Sequence, residues 1–394
     1  MTTLTERTRR TAIRAARLFD GVSGSMTRDP LLVLDGPRIV AVDHHEQPPP
    51  DADVIDLGDV TLLPGLIDTH VHLAFDASTD PVGALAVRSD TEALAAMAVA
   101  ARAAAIGGVT TVRDLGDRGY LSLLLRGTEG LPTVVAAGPP ITTPGGHCHY
   151  LGGPTTDPRR AVREHADRGV DVIKIMASGG TLTPGSRQEC AQFTPDELHA
   201  AVEEAHRHGL PVTAHAHGTQ AIIDALAAGV DGMEHVSFWT ADGIDDRPDV
   251  IQQLANRRIV VGATMGLRPM PGAAPPPPVA ARLPKIIANT RRLVETGAPV
   301  VAGTDAGIGP VKPHDVARYT LPFFAQLGIG PLEALRTLTS TAAAVCGLAD
   351  RKGRLATGYD ADILAVHGDP TADPDAMHRI AAVYLAGTPL EANQ

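Results

Sequence analysis

His70 and His72 stand one residue apart in the run LIDTHVHL. Side chains alternate in direction along a strand, so both imidazoles face the same side and can share one divalent cation. Four more residues invite the same reading. Lys174 interrupts the apolar run VIKIM, and His215, His235 and Asp305 stand in PVTAHAHG, GMEHVSF and VVAGTDAG. Each falls late in a segment that reads as a buried strand. Four imidazoles, a carboxylate and a lysine would be costly as unpaired core residues, but as a set they suit divalent metal ions. Taken singly, each has an ordinary explanation: a satisfied strand histidine, a helix-capping Asp, a lysine at a strand edge. The recurrence of all six at equivalent points of a repeat makes the metal site the preferred reading. The His-x-His pair alone is weak evidence.

The repeat itself spans residues 63–349. Strand-like segments occur at 66–73, 109–116, 133–141, 171–180, 211–218, 232–238, 259–266 and 299–307, with helix-like runs between them. Two of those helices have clear starts, because Ser89 and Thr194 each precede a Glu by three residues, the spacing of a capping box. Alternating strands and helices predict a parallel sheet covered by helices. Eight units favour a distorted (β/α)8 TIM barrel, with a doubly wound open sheet as the alternative. No GxGxxG or GxxxxGK[ST] follows the first strand, which removes the usual nucleotide-binding reason for an open sheet. In a barrel the active site lies at the C-terminal strand ends, where the six residues fall. Short β-branched runs before residue 62 and after 350 predict hairpin strands that pair as a small β-sandwich built from both termini. The expected division is therefore 1–62 with 350–394 as the sandwich and 63–349 as the catalytic barrel.

Composition limits the partners. With 44% hydrophobic residues in a chain of 394, a large core can be buried, and 40 Gly with 32 Pro exclude a helical bundle. A formal charge of −11 opposes nucleic-acid binding and basic anchoring to membranes, which leaves a small-molecule substrate. Cys148, Cys190 and Cys346 make neither a disulfide framework nor a CxxC pair. No stretch reaches the roughly 18 apolar residues of a membrane span, and the arginine-bearing first 20 residues lack the apolar core of a secretory signal. A cytoplasmic protein is expected.

With PGLIDTHVHL, VIKIMASGG, HAHG, GMEHVSF, GTDAG and the closing GYDADILAVHGDP in this order, nearly the whole chain resembles the amidohydrolase superfamily. The subgroup it most resembles holds bacterial Xaa-Pro and related dipeptidases and imidazolonepropionase-like proteins. The resemblance implies a binuclear site, zinc by default, in which His70, His72 and Asp305 hold one metal and His215 and His235 the other. Lys174 would bridge the two as an N-carboxylated lysine, its cation turned into an anionic oxygen ligand. A hydroxide between the metals would then attack the scissile carbonyl, with Asp305 as the general base that passes the proton to the leaving amine. Relatives of this kind are often homo-oligomers.

Substrate contacts are expected from the Gly-rich stretch 142–153, which follows the third strand and carries His147, His149 and Tyr150. By resemblance, His147 binds a substrate carbonyl or carboxylate. His217 shares the facing of His215 and lines the pocket. Arg187 offers a grip on a carboxylate but reads more simply as exposed, and His314 is similarly open. Histidines 199, 206 and 208 read as solvated, and 269–280 as an extended rim loop too Pro-rich for regular structure. The expected function is hydrolysis of an amide C–N bond in a dipeptide or N-acyl amino acid. A cyclic amide, imidazolone, carbamate or aryl amide is the alternative, and an inactive binding or assembly relative a third.

Overall fold

Each of the eight central segments forms a strand in the computed structural model, which describes residues 9–44 and 47–391. In order they are Leu66–Val71, Val109–Asp114, Thr133–Ala136, Ile173–Met176, Val212–Gly218, Gly232–Trp239, Val260–Thr264 and Val300–Gly303. Most are shorter than the sequence suggested, because the chain leaves the ladder where polar and glycine residues begin; the fourth stops at Met176, before Ser178-Gly179-Gly180. As a result His72 and Asp305 lie just past their strands, on the loops they open. Neighbouring strands run parallel, the first three as one sheet and the other five as a second. Single parallel bridges, Ile141↔Ile175 and Val71↔Ala306, link the two sheets on either side. The first and eighth strands are also tied by side chains: Thr69 donates to the Ala302 carbonyl at 2.9 Å, and buried Asp68 accepts from the Thr304 amide at 2.9 Å.

Helices alternate with these strands as expected. Both capping boxes are formed, at Ser89 with Glu92 for helix Asp90–Ile106 and at Thr194 with Glu197 for helix Pro195–Arg207. Each satisfies amides that the first helical turn leaves without partners. The Pro-rich run departs from its reading. Residues 265–276 are irregular, but helix Pro277–Glu295 begins inside the run, with prolines in its first turn, where a missing N–H costs nothing. His199, His206 and His208 are exposed, and His206 pairs with Asp231 at 2.9 Å.

The chain ends form two further sheets. One has four strands from residues 10–56. The other has six and mixes both ends, with Ile363–His367 paired antiparallel to Val60–Pro64. Ile13, Leu32, Leu34 and Ile39 of the first share one apolar cluster with Leu62, Ile363, Ala365 and Tyr384 of the second. The first eight residues, part of the stretch read against a secretory signal, lie outside the described residues. Among the described residues no helix is long and apolar enough to cross a membrane.

Candidate metal centre

Three donors converge where the first and eighth strands end. His70 Nε2 lies 3.3 Å from His72 Nε2, and Asp305 Oδ1 lies 3.5 Å from the first and 3.2 Å from the second. The other nitrogen of each ring points away, His70 Nδ1 to the Glu234 carboxylate at 3.0 Å and His72 Nδ1 to the Gly116 carbonyl at 3.1 Å. Both outer partners are acceptors, so each Nδ1 donates outward and each Nε2 is turned towards the other ring and Asp305. Such an arrangement sets two ring nitrogens and a carboxylate oxygen around one point, as a divalent cation needs. Burial and the Lys174 charge push His70 down to about 4. Burial works against His72 as well, but Asp305 beside it more than offsets that and its pKa rises. Burial raises the Asp305 carboxyl, yet His70 and His72 hold it well below the ordinary range.

A second group stands on the fifth and sixth strands. His215, His217 and His235 each offer a nitrogen, all within 4.8 Å of one another. His235 Nε2 is 3.1 Å from His215 Nδ1, and the rings of His217 and His235 stack with centroids 4.2 Å apart. Their outer partners are the Gly179 carbonyl for His215 at 3.0 Å, the Ser237 hydroxyl for His217 at 2.7 Å and the Thr264 hydroxyl for His235 at 2.9 Å. Burial and the neighbouring imidazoles lower all three pKa values, His217 to about 3, so the rings stay neutral, as metal ligation requires. The sequence reading placed His217 on the pocket wall; here it stands within the donor group itself. Two of the six donors, His235 at φ 76° and Asp305 at φ 61°, adopt left-handed backbone that non-glycine residues seldom use. Val236 and Phe238 of the sixth strand share this conformation, so the strand turns sharply where it presents His235.

Lys174 is buried, and its Nζ has no hydrogen-bond partner among the described residues. Its charge bears on the imidazoles of both groups, and burial lowers its own pKa to about 8. An orphaned ammonium in the core is costly as such, but a carboxylated amine would fit it. The donor set also suits a divalent cation: two compact groups of nitrogen and oxygen donors, with neutral rings in the second.

His147 is brought to the site, its ring centroid 4.8 Å from that of His215 and its Nδ1 3.1 Å from the Thr183 hydroxyl. Gly180 makes room for it, since a Cβ there would lie 2.3 Å from His147 Nε2. Tyr150 is half-buried beside Phe75, with ring centroids 6.4 Å apart, and His149 is exposed. Two candidates do not join the cluster. Arg187 is exposed, within 3.7 Å of Glu189, and His314 turns its Nε2 to the Phe75 carbonyl at 2.8 Å. Two residues that matter here escaped the sequence reading, Glu234 and Arg113, an ion pair 3.0 Å apart with both side chains buried. The signal was present, as charged residues inside the apolar runs VTTVRD and GMEHV.

Residues 61–390 match the amidohydrolase family. Ochratoxinase from Aspergillus niger is 30% identical over 351 residues, covering 79% of this chain and 71% of its own. Imidazolonepropionase from Deinococcus deserti is 29% identical over 383 residues, covering 87% and 86%. Among solved structures, a Xaa-Pro dipeptidase with methionine bound in its active site aligns at TM-score 0.84 and 27% identity, covering 97% of this chain and 100% of that one.

Proposed function

Because the chain belongs to the amidohydrolase family, whose members are metal-dependent, we propose that it is a binuclear hydrolase cleaving an amide C–N bond of a dipeptide or N-acyl amino acid. One observation carries the reading: two groups of donors converge on two points, with an unpartnered Lys174 Nζ whose charge reaches both. His70, His72 and Asp305 would hold one ion, zinc by default, and His215 and His235, with His217 beside them, the other. Lys174, depressed to about 8, presents enough neutral amine to add carbon dioxide and lose a proton, and the carbamate would bridge the pair. Bound divalent ions would polarise the scissile carbonyl and make water nucleophilic at neutral pH.

Everything else falls to the chain's own side chains. Asp305 takes a proton from the attacking water at its carboxylate and delivers it to the leaving nitrogen. His147, fixed through Nδ1 by Thr183, presents Nε2 to a substrate carbonyl or carboxylate. The closed barrel and the composite sandwich of 1–62 with 350–394 belong to the same reading, supported by the ties between first and eighth strands and by the apolar cluster shared between the terminal sheets. A cyclic amide is the second choice of substrate, favoured by the imidazolonepropionase relative.

The test is metal analysis of purified protein followed by a screen of dipeptides and N-acyl amino acids. About two metals per chain and turnover that a chelator abolishes and metal restores are expected. Metal-free protein with full activity would overturn the reading.

A further inference from the structure

Under the His70 group lies a carboxylate enclosed by five strands. Glu234, on the sixth strand, is 1% exposed and accepts from His70 Nδ1 at 3.0 Å, from the Thr213 hydroxyl of the fifth strand at 2.8 Å and from Arg113 of the second at 3.0 Å. Arg113 is itself anchored by Nε to the Thr69 carbonyl of the first strand at 2.7 Å. The seventh strand leaves room for the carboxylate through Gly262, where a Cβ would sit 1.9 Å from Glu234 Oε2. A carboxylate accepts and does not donate, so His70 carries its proton on Nδ1 and directs its Nε2 lone pair at His72 and Asp305. No outer partner of His215, His217 or His235 bears a charge.

We propose that Glu234, held in place by Arg113, is a positioning residue that gives the His70 group a tighter hold on a divalent cation than the His215 group has, so that the two positions fill in order. The proposal rests on the binuclear reading above. A buried anion behind an imidazole fixes its tautomer and raises its strength as a ligand, whereas a hydroxyl or carbonyl only orients the ring. Glu234 adjoins His235 in the chain and pairs with His215 across the strands, but its hydrogen bonds go to His70, Arg113 and Thr213 and to no donor of the second group, so the strut acts first on the His70 ring.

Metal-free full-length protein titrated with zinc against a chelating dye should bind in two phases. Glu234→Gln is expected to weaken the tighter phase about 10- to 100-fold and to leave the weaker one within about threefold. Gly262→Ala, which displaces the carboxylate without removing it, should act on the same phase. Should Glu234→Gln alone fail to fold because Arg113 is left without its counter-charge, the pair Arg113→Met with Glu234→Gln removes both charges and is expected to show the same selective loss. In the metal-free protein, nitrogen NMR of His70 should show the Nδ1–H form and lose that preference in Glu234→Gln, which a merely structural role would not produce. Equal weakening of both phases, no weakening of either, or two positions of equal affinity in the wild type would overturn the proposal while leaving the binuclear reading intact. No zinc bound by the wild type would overturn both.

Discussion

The group of His70, His72 and Asp305 contains an anion and has a second one hydrogen-bonded behind it, whereas the group of His215, His217 and His235 is made of imidazoles alone and leans on a carbonyl and two hydroxyls. The difference follows from position. The first group closes over the barrel interior, where Arg113 from a neighbouring strand can balance a buried carboxylate. The second sits further out on its strands, with His217 and His235 half-buried. A cation at the second group would find no anion among its own three donors; the Asp305 charge reaches His217 and His235 from the first group, and a carboxylated Lys174 would add another. On the proposal made above, the lysine would be worth most to the second group, leaving one strong position and one that depends on chemistry at Lys174.

Removing the anion from the strong group should do the most damage. Asp305→Asn keeps the side-chain volume and a residue type that tolerates left-handed backbone, so the fold is expected to survive. Its carboxylate charge and proton-transfer role are lost together, and kcat should fall about 10²–10⁴-fold with an unchanged melting temperature. Turnover near that of the wild type would sink the assignment of Asp305. Next in size is His217→Asn. With His217 as a third donor of the second group, zinc content should drop from about two per chain towards one, and affinity for the second ion by at least about tenfold. Full stoichiometry with a raised KM would return His217 to the pocket wall, where the sequence placed it.

How far the sequence could see into this comparison depends on what each feature needs. The eight strands and both capped helices were legible because alternation and caps are local, and His70, His72, His215, His235, Lys174 and Asp305 because each breaks an apolar run at a strand end. The place of His217 was not, because two-residue spacing fixes which way a side chain faces but not how a left-handed turn at His235 brings another ring against it. Glu234 and Arg113 are not legible in the sequence for a related reason. A charged residue inside an apolar run is uninformative until a partner is found on another strand, and theirs lie 121 residues apart. Strand content predicts the terminal pairing but not its register, which the antiparallel ladder between Ile363–His367 and Val60–Pro64 supplies. The helix that starts within the Pro-rich run was hidden by reading proline as a breaker without regard to its place in the first turn.

A smaller effect is expected at the substrate side of the second group. His147→Gln keeps about the reach of Nε2 and replaces the imidazole packed 4.8 Å from His215 by an amide, while all six donors stay in place. KM should rise about tenfold with kcat within about threefold, the pattern of lost uniform binding to one polar group. A fall in kcat with unchanged KM would instead give His147 a part in the chemical step.

The smallest effect tests whether charge is what separates the two groups. Thr264→Val keeps the shape behind His235 and removes only the hydroxyl 2.9 Å from its Nδ1. A neutral hydrogen bond contributes roughly 0.5–1 kcal/mol, so affinity for the more weakly held ion should fall about two- to fivefold, well short of the loss expected at the other position when Glu234 becomes Gln. The two variants change the same element, an acceptor behind a ligating ring, and differ in whether that acceptor is ionised. A Thr264→Val loss as large as the Glu234→Gln loss would mean that ring orientation, which both partners provide, outweighs the charge that only one of them carries.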